Sequence, residues 1–401
     1  MRIIADLHIH SKYARGTSKN LDLENVERYG LLKGLGLVGT GDFTHPKWIV
    51  ELKSKLENRD GIFYTKTGYK FLLQTELSFI YTWKGKGRRI HLIILAPDFE
   101  VVDQITEYLL KHGRVDYDGR PIFKIPCPEF IESMKKISSK IEIIPAHVWT
   151  PHFSLFGEYN QFNTAEECFE DQTKNIFAME TGLSSDPVMN WRVPSMDKFN
   201  LVSFSDSHGY WPWRLGREAT IFDINLTYDS LIKALRTGEG LKETIEVNPN
   251  FGKYHFTGHR NCEVSMNPNK SMQANNICPK CDKKMTVGVL DRVEKLSNRN
   301  EEEARKIGIA RKPFKTMLPL SEILSAVMQS SVSSKKTWAE YYRLVNLKEG
   351  RSEYNVLLDT SKEELEKLTI SKIAKAIIDN RHGKIKVISG YDGLYGVPVI
   401  E

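Results

Sequence analysis

Two imidazoles stand two residues apart in Asp6-Leu7-His8-Ile9-His10, at the end of a β-rich run near the N-terminus. Alternate residues of a strand share a face, so His8 and His10 can reach one ion. Further ligand-type residues fall in or just after later β-rich runs: Asp42 after Gly41, Glu76, His91, His147, and the triplet Asp206-Ser207-His208. Five of the chain's 11 histidines thus lie where a common cluster can form. A lone histidine is usually a surface or core residue, and His112 and His382 are read that way. A whole set of buried polar groups without partners costs several kcal/mol per group, so the set calls for ions. Imidazole with carboxylate suits zinc, manganese or iron better than calcium. More than five ligands exceed the shell of one tetrahedral ion, which predicts two or three ions sharing a bridging carboxylate. Such a centre lowers the pKa of bound water, clamps phosphoryl oxygens and stabilises a leaving oxygen. The expected chemistry is phosphoester hydrolysis, with Glu76, Asp206 and Asp42 as its acidic residues.

A second constellation, His259-x2-Cys262 and Cys278-x2-Cys281, has the spacing of a structural zinc site. His255 is an alternative to His259. Three of the five cysteines cluster within twenty residues, which argues for metal in a reducing compartment rather than disulfides. Lys283 and Lys284 follow the second pair, as in basic zinc ribbons that grip nucleic-acid backbone.

Directly after Asp206 and His208 come Tyr210, Trp211, Trp213, Arg214 and Arg217. Aromatics there could stack on a base while the arginines hold phosphates; packing of the loop is the alternative for at least one tryptophan. Glu180 either points into the site or caps a helix. His152 is given a loop or substrate role rather than coordination, and His45 is as much a loop residue as a ligand. The C-terminal GYDGLYG offers backbone N–H groups to a phosphate. Net charge is +6, unevenly spread. Residues 1–252 carry 31 Lys and Arg against 33 Asp and Glu, whereas residues 253–401 carry 26 against 18, a balance that suits a polyanionic partner.

These residues need elements to position them. Candidate strands cover 2–8, 37–41, 70–79, 89–96, 142–147, 176–180 and 201–205, with amphipathic helical stretches such as 98–112 and 128–138 between several of them. That alternation predicts a parallel α/β architecture, open or closed, with functional residues at the C-terminal strand ends. Composition shifts near 248–253, and from about Leu318 the pattern is helical. No apolar run approaches the roughly 20 residues that span a bilayer. The N-terminal stretch lacks a secretory pattern, so the chain is expected in the cytoplasm, without a membrane partner.

The motifs DLHIH at 6–10, GD at 41–42, Glu76, His91, His147 and DSH at 206–208 resemble the PHP (polymerase and histidinol phosphatase) domain. The resemblance implies a distorted (β/α)7 barrel with a trinuclear centre. It would put His8, His10, Glu76 and Asp206 on one ion, Glu76, His91 and His147 on a second, and His208 with neighbours on a third. The usual Thr-Asp-His triplet after the second strand reads Gly41-Asp42-Phe43 here, and Asp42 is the expected substitute ligand. With GHRNC…CPKC and the helical C-terminal part added, the chain resembles the endonuclease Q family. That resemblance implies a DNA repair endonuclease cutting the phosphodiester 5′ to deoxyinosine, deoxyuridine, deoxyxanthosine or an abasic site, leaving 3′-hydroxyl and 5′-phosphate. It implies residues 1–247 as the phosphoesterase domain, 248–300 as the zinc module and 301–401 as a mainly helical DNA-binding region. The cofactors would be two or three divalent ions (Zn, Mn or Mg) and one structural Zn, in a monomer. A sliding clamp is a partner of some relatives, but no clear Gln-x-x-hydrophobic-x-x-aromatic-aromatic motif is evident. A small-molecule phosphatase and a non-catalytic nucleic-acid-binding module are the alternatives.

Overall fold

The computed structural model describes residues 1–400 of the 401-residue chain. All seven expected strands form: β1 (Arg2–Asp6), β2 (Leu37–Gly39), β3 (Lys70–Trp83), β4 (Lys86–Ala96), β5 (Glu142–Pro145), β6 (Ala178–Glu180) and β7 (Asn200–Val202). They close on themselves. β1 pairs with β2 and β2 with β3 in parallel, β4 pairs antiparallel with both β3 and β5, and β6 pairs in parallel with β7. The Val148 amide donates to the Glu180 carbonyl between β5 and β6. A parallel bridge between Ile9 and Ser207 joins the end of β7 to the end of β1.

The expected all-parallel arrangement is corrected at β4, which is the return arm of a hairpin turning at Lys84-Gly85, both with positive φ. The physical reason is length, because a parallel crossover needs a dozen or more residues. The reversal matters for the site. His91 lies midway along β4, opposite Ser78 of β3 and two residues past Glu76 in register, and so meets the ligands carried by the other strands.

Helices cover the barrel, their ends set by local chemistry. Asp22 caps the helix Leu23–Lys33 by accepting from the Asn25 amide, and Gly34 (φ 92°) ends it. Asp98 caps Phe99–Leu110 in the same way. Two more strands, β8 (Ala219–Asp223) and β9 (Leu241–Glu246), extend the sheet antiparallel from β1.

Helix Glu301–Gly308 packs on Pro187–Trp191, and the strand Phe314–Thr316 pairs with β9. The helical region begins at Leu320–Met328 and continues through Lys335–Leu344, Lys362–Leu368 and Ser371–Arg381. It docks through a buried pair, Lys33 Nζ to Glu353 Oε1 at 2.7 Å; Tyr341 and the Leu320 amide also donate to Glu353. No helix among the described residues is long and apolar enough to cross a membrane.

Candidate metal centre

At the barrel mouth the ligand atoms of His8, His10, Glu76 and Asp206 lie within 4.8 Å of one another, as do those of Glu76, His91 and His147. Glu76 belongs to both groups. Oε2 lies 3.3 Å from His10 Nε2, while Oε1 lies 2.8 Å from His91 Nδ1, 3.1 Å from His147 Nε2 and 3.5 Å from His8 Nε2. A carboxylate shared by both imidazole sets has the form of a bridging ligand. His8 Nε2, His10 Nε2 and Asp206 Oδ1 are buried without a hydrogen-bond partner among the described residues. Orphaned atoms of these types, converging on one spot, fit a divalent ion.

The electrostatics agree. Burial alone would lower His8, but Glu180, Glu76 and Asp206 hold its pKa well above the imidazole range. Burial would raise Glu76, yet His91, Arg120 and His8 hold it well below the carboxylate range. His10 and His147 are raised as well, while burial pushes His91 down to about 4. Protons on His8, His10 and His147 thus balance the carboxylates, and ions entering the pocket would displace them.

The loops that aim these side chains are backbone-strained. Asp42, His147 and Asp206 have φ of 45°, 32° and 47°, a region costly for residues other than glycine. Each falls where the chain leaves a strand. Gly41 (φ 67°) packs so close that a Cβ there would sit 2.7 Å from the His10 carbonyl carbon.

Two carboxylates stand behind the imidazoles. His8 Nδ1 lies 2.9 Å from Glu180 Oε1, and His10 Nδ1 lies 2.9 Å from Asp42 Oδ1. Each fixes its ring so that Nε2 turns inward. Glu180 therefore points into the site rather than capping a helix. Asp42 stands outside both clusters: its Oδ1 faces His10 and its other oxygen accepts from the Ser11 amide and hydroxyl, so it backs the His10 ring. His208, Nδ1 2.9 Å from the Asp206 carbonyl, lies at the mouth outside both clusters. His45 stacks on Tyr13 and His152 on Tyr159, both away from the ligands.

The zinc constellation also assembles. His259, Cys262, Cys278 and Cys281 bring their ligand atoms within 4.8 Å of one another; the first two lie at the turn of a hairpin of Thr257–His259 and Val264–Met266, the other two in a turn closed by the Ile277–Lys284 bridge. His255 is buried elsewhere, and desolvation pushes it down to about 4.

A family model described as the MJ0043 C-terminal domain matches residues 319–384. The MJ0043 protein of Methanocaldococcus jannaschii is 29% identical over 297 residues, 72% of this chain but 35% of its own, so this chain spans about a third of that relative. YqxK of Bacillus subtilis is 26% identical over 98% of both chains. The crystal structure of the lesion-specific endonuclease PfuEndoQ from Pyrococcus furiosus matches with a TM-score of 0.88 and 30% identity, over 100% of this chain and 96% of that one. The chain belongs to the endonuclease Q family. A structure of endonuclease Q with a 27-mer duplex bearing an abasic lesion at its active site matches with a TM-score of 0.87 and 30% identity, over 100% of this chain and 97% of that one.

In this chain the expected DNA-contacting residues divide. Lys283 and Lys284 are exposed on the zinc module. Trp211 and Trp213 stack on each other at 5.0 Å, Trp338 of the helical region lies against both, and Tyr210 packs on Tyr29 and Trp211. These aromatics form the seam between barrel and helices, so packing accounts for both tryptophans. Arg217 donates to the Ser205 carbonyl, and Arg214 stands beside Tyr395. The GYDGLYG turn offers no phosphate cradle, because the amides of Gly390, Tyr391, Gly393, Leu394 and Gly396 all donate to carbonyls. It clasps the zinc module, with Asp392 accepting from the Arg260 amide and the Thr286 hydroxyl.

One site residue escaped the sequence reading. Arg120 places Nη1 2.9 Å from Glu76 Oε2. Its only sequence signal is an arginine in the turn DYDGRP ahead of a short strand, Ile122–Phe123.

Proposed function

We propose that this protein is a metal-dependent DNA repair endonuclease that hydrolyses the phosphodiester 5′ to a deaminated base or an abasic site. The products are a 3′-hydroxyl and a 5′-phosphate. The observation that carries the reading is the full-length likeness to lesion-specific endonuclease Q, combined with a clustered ligand set in which Glu76 faces both groups. His8, His10, Glu76 and Asp206 would hold one divalent ion, and Glu76, His91 and His147 a second, of Zn, Mn or Mg; His208 stands where a third could be met. Bound ions of this kind activate water and neutralise charge on the phosphoryl group. The chain's own contribution is to fix that geometry: Glu180 and Asp42 lock the imidazole rings. A lesion reaches such a recessed centre by turning out of the helix, at least cost for a damaged or mispaired base. His259, Cys262, Cys278 and Cys281 would hold a structural zinc, and Arg214, Lys283 and Lys284 would contact DNA phosphates.

The test uses end-labelled duplexes with one deoxyinosine, deoxyuridine or abasic site, incubated with Mg²⁺ or Mn²⁺. A single nick immediately 5′ of the lesion is expected. Phosphate release from small esters without a nick would replace the reading with a phosphatase; binding without turnover would replace it with a DNA-binding module. Asp206→Ala should abolish nicking and leave duplex binding measurable. Asp206→Asn, which tolerates the left-handed backbone, guards against misfolding.

A further inference from the structure

We propose that Arg120 grips the scissile phosphate, keeping Nη1 on Glu76 and turning its remaining donors to a non-bridging oxygen. The inference rests on the phosphodiester reading above but assigns a residue which that reading does not use.

Exposure locates the open side of the centre. The side chains of His8, His10 and Glu76 are 0% exposed, and His91 and His147 are 7% and 11%. Arg120, Asp206 and His208 are 25%, 31% and 34% exposed. A phosphate approaching the ligand atoms must therefore pass the guanidinium. Of five donors, one is used: Nη1 on Glu76, with no other side-chain hydrogen bond from Arg120 among the described residues. A counter-charge serving structure alone would be enclosed with its donors satisfied.

The loop holds Arg120 in place before any substrate arrives. Its amide donates to Asp118 Oδ1, which also accepts from the Arg15 amide. The Gly119 amide donates to the Tyr13 carbonyl, and a Cβ on Gly119 would overlap Asp42, so the turn is pressed against the carboxylate that orients His10. A planar fork can span a carboxylate and a phosphoryl oxygen at once, which an ammonium cannot. Held in this way, the charge meets negative charge developing on the phosphoryl oxygens without reorganisation.

The experiment compares the parent chain with Arg120→Ala and Arg120→Lys, loaded with Mn²⁺, on bis(4-nitrophenyl) phosphate and on an abasic-site duplex. For Arg120→Ala, kcat/KM should fall about 100-fold or more on both, with metal content by elemental analysis unchanged. Millimolar guanidinium should restore part of that loss, and Arg120→Lys should recover little. Loss below threefold on the diester would overturn the proposal, as would loss accompanied by depleted metal without guanidinium rescue. The parent's cutting of lesion against undamaged duplex judges the endonuclease reading separately. A parent that hydrolyses the diester but spares the lesion sinks that reading while still testing Arg120. A parent inactive on both overturns both.

Discussion

Glu180 behind His8 and Asp42 behind His10 do equivalent work, each holding one imidazole by Nδ1. Partners of this kind typically account for 10- to 100-fold in metal affinity, about 1–3 kcal/mol. Asp42→Asn and Glu180→Gln should each weaken ion binding to about that extent without lowering the number of ions bound at saturation. Competition against a chelator checks the affinity, and elemental analysis the stoichiometry; loss of a whole ion from Asp42→Asn would return that residue to the coordination shell. Spacing made Asp42 visible as an acidic residue at a strand end, as it did for Glu76 and Asp206. It did not distinguish touching an ion from holding a ligand, because that depends on which atoms Ser11 and His10 occupy. Arg120 was less visible still, since its partner Glu76 is 44 positions away.

At the level of elements, the strands and their ligand residues were legible because β-rich runs ended on polar residues that a barrel would otherwise bury unpaired. The reversal of β4 was legible too in principle. Nine residues between the runs 70–79 and 89–96, with Lys84-Gly85 among them, suffice for a hairpin and not for a crossover. The added strands β8 and β9 carry a second consequence. Glu218 just before β8 and Glu246 at the end of β9 are both fully buried. Burial, with its neighbour Asp186 adding to it, pushes Glu246 up to about 8, and burial with Glu246 raises Glu218. The folded chain therefore holds protons that the unfolded chain, near the ordinary value of 4.5, has released. Stability from this source is complete below about 4.5 and is lost as pH rises through about 8. Glu246→Gln should flatten the fall in Tm between about pH 4.5 and 8, measured by calorimetry against the parent; an unchanged slope would count against it.

Across the whole molecule, Lys33 and Glu353 tie the barrel to the helical region at full burial, and Lys33 Nζ also donates to the Pro212 carbonyl between the two tryptophans. Removing one member leaves the other charge stranded, a cost of about 3–5 kcal/mol. Lys33→Met should lower the urea midpoint accordingly, and Lys33→Met with Glu353→Gln should regain part of it. A single variant as stable as the parent would show that the seam rests on its aromatics alone. The modular order of the chain was readable from the cysteine spacing and the late helical periodicity. The packing of Glu301–Gly308 on Pro187–Trp191 was not, because that segment is as helical in sequence as Leu320–Met328.

The left-handed turns at Asp42, His147 and Asp206 bear on when the protein is finished as well as how it acts. Packing and hydrogen bonding can build a barrel from this chain, but they do not favour those three corners. A ligand that binds only the folded form stabilises it by mass action, so ions at the mouth would complete the last part of folding. Depleting them would loosen the rim that carries these loops, leaving the zinc module and the helical region anchored by their own contacts.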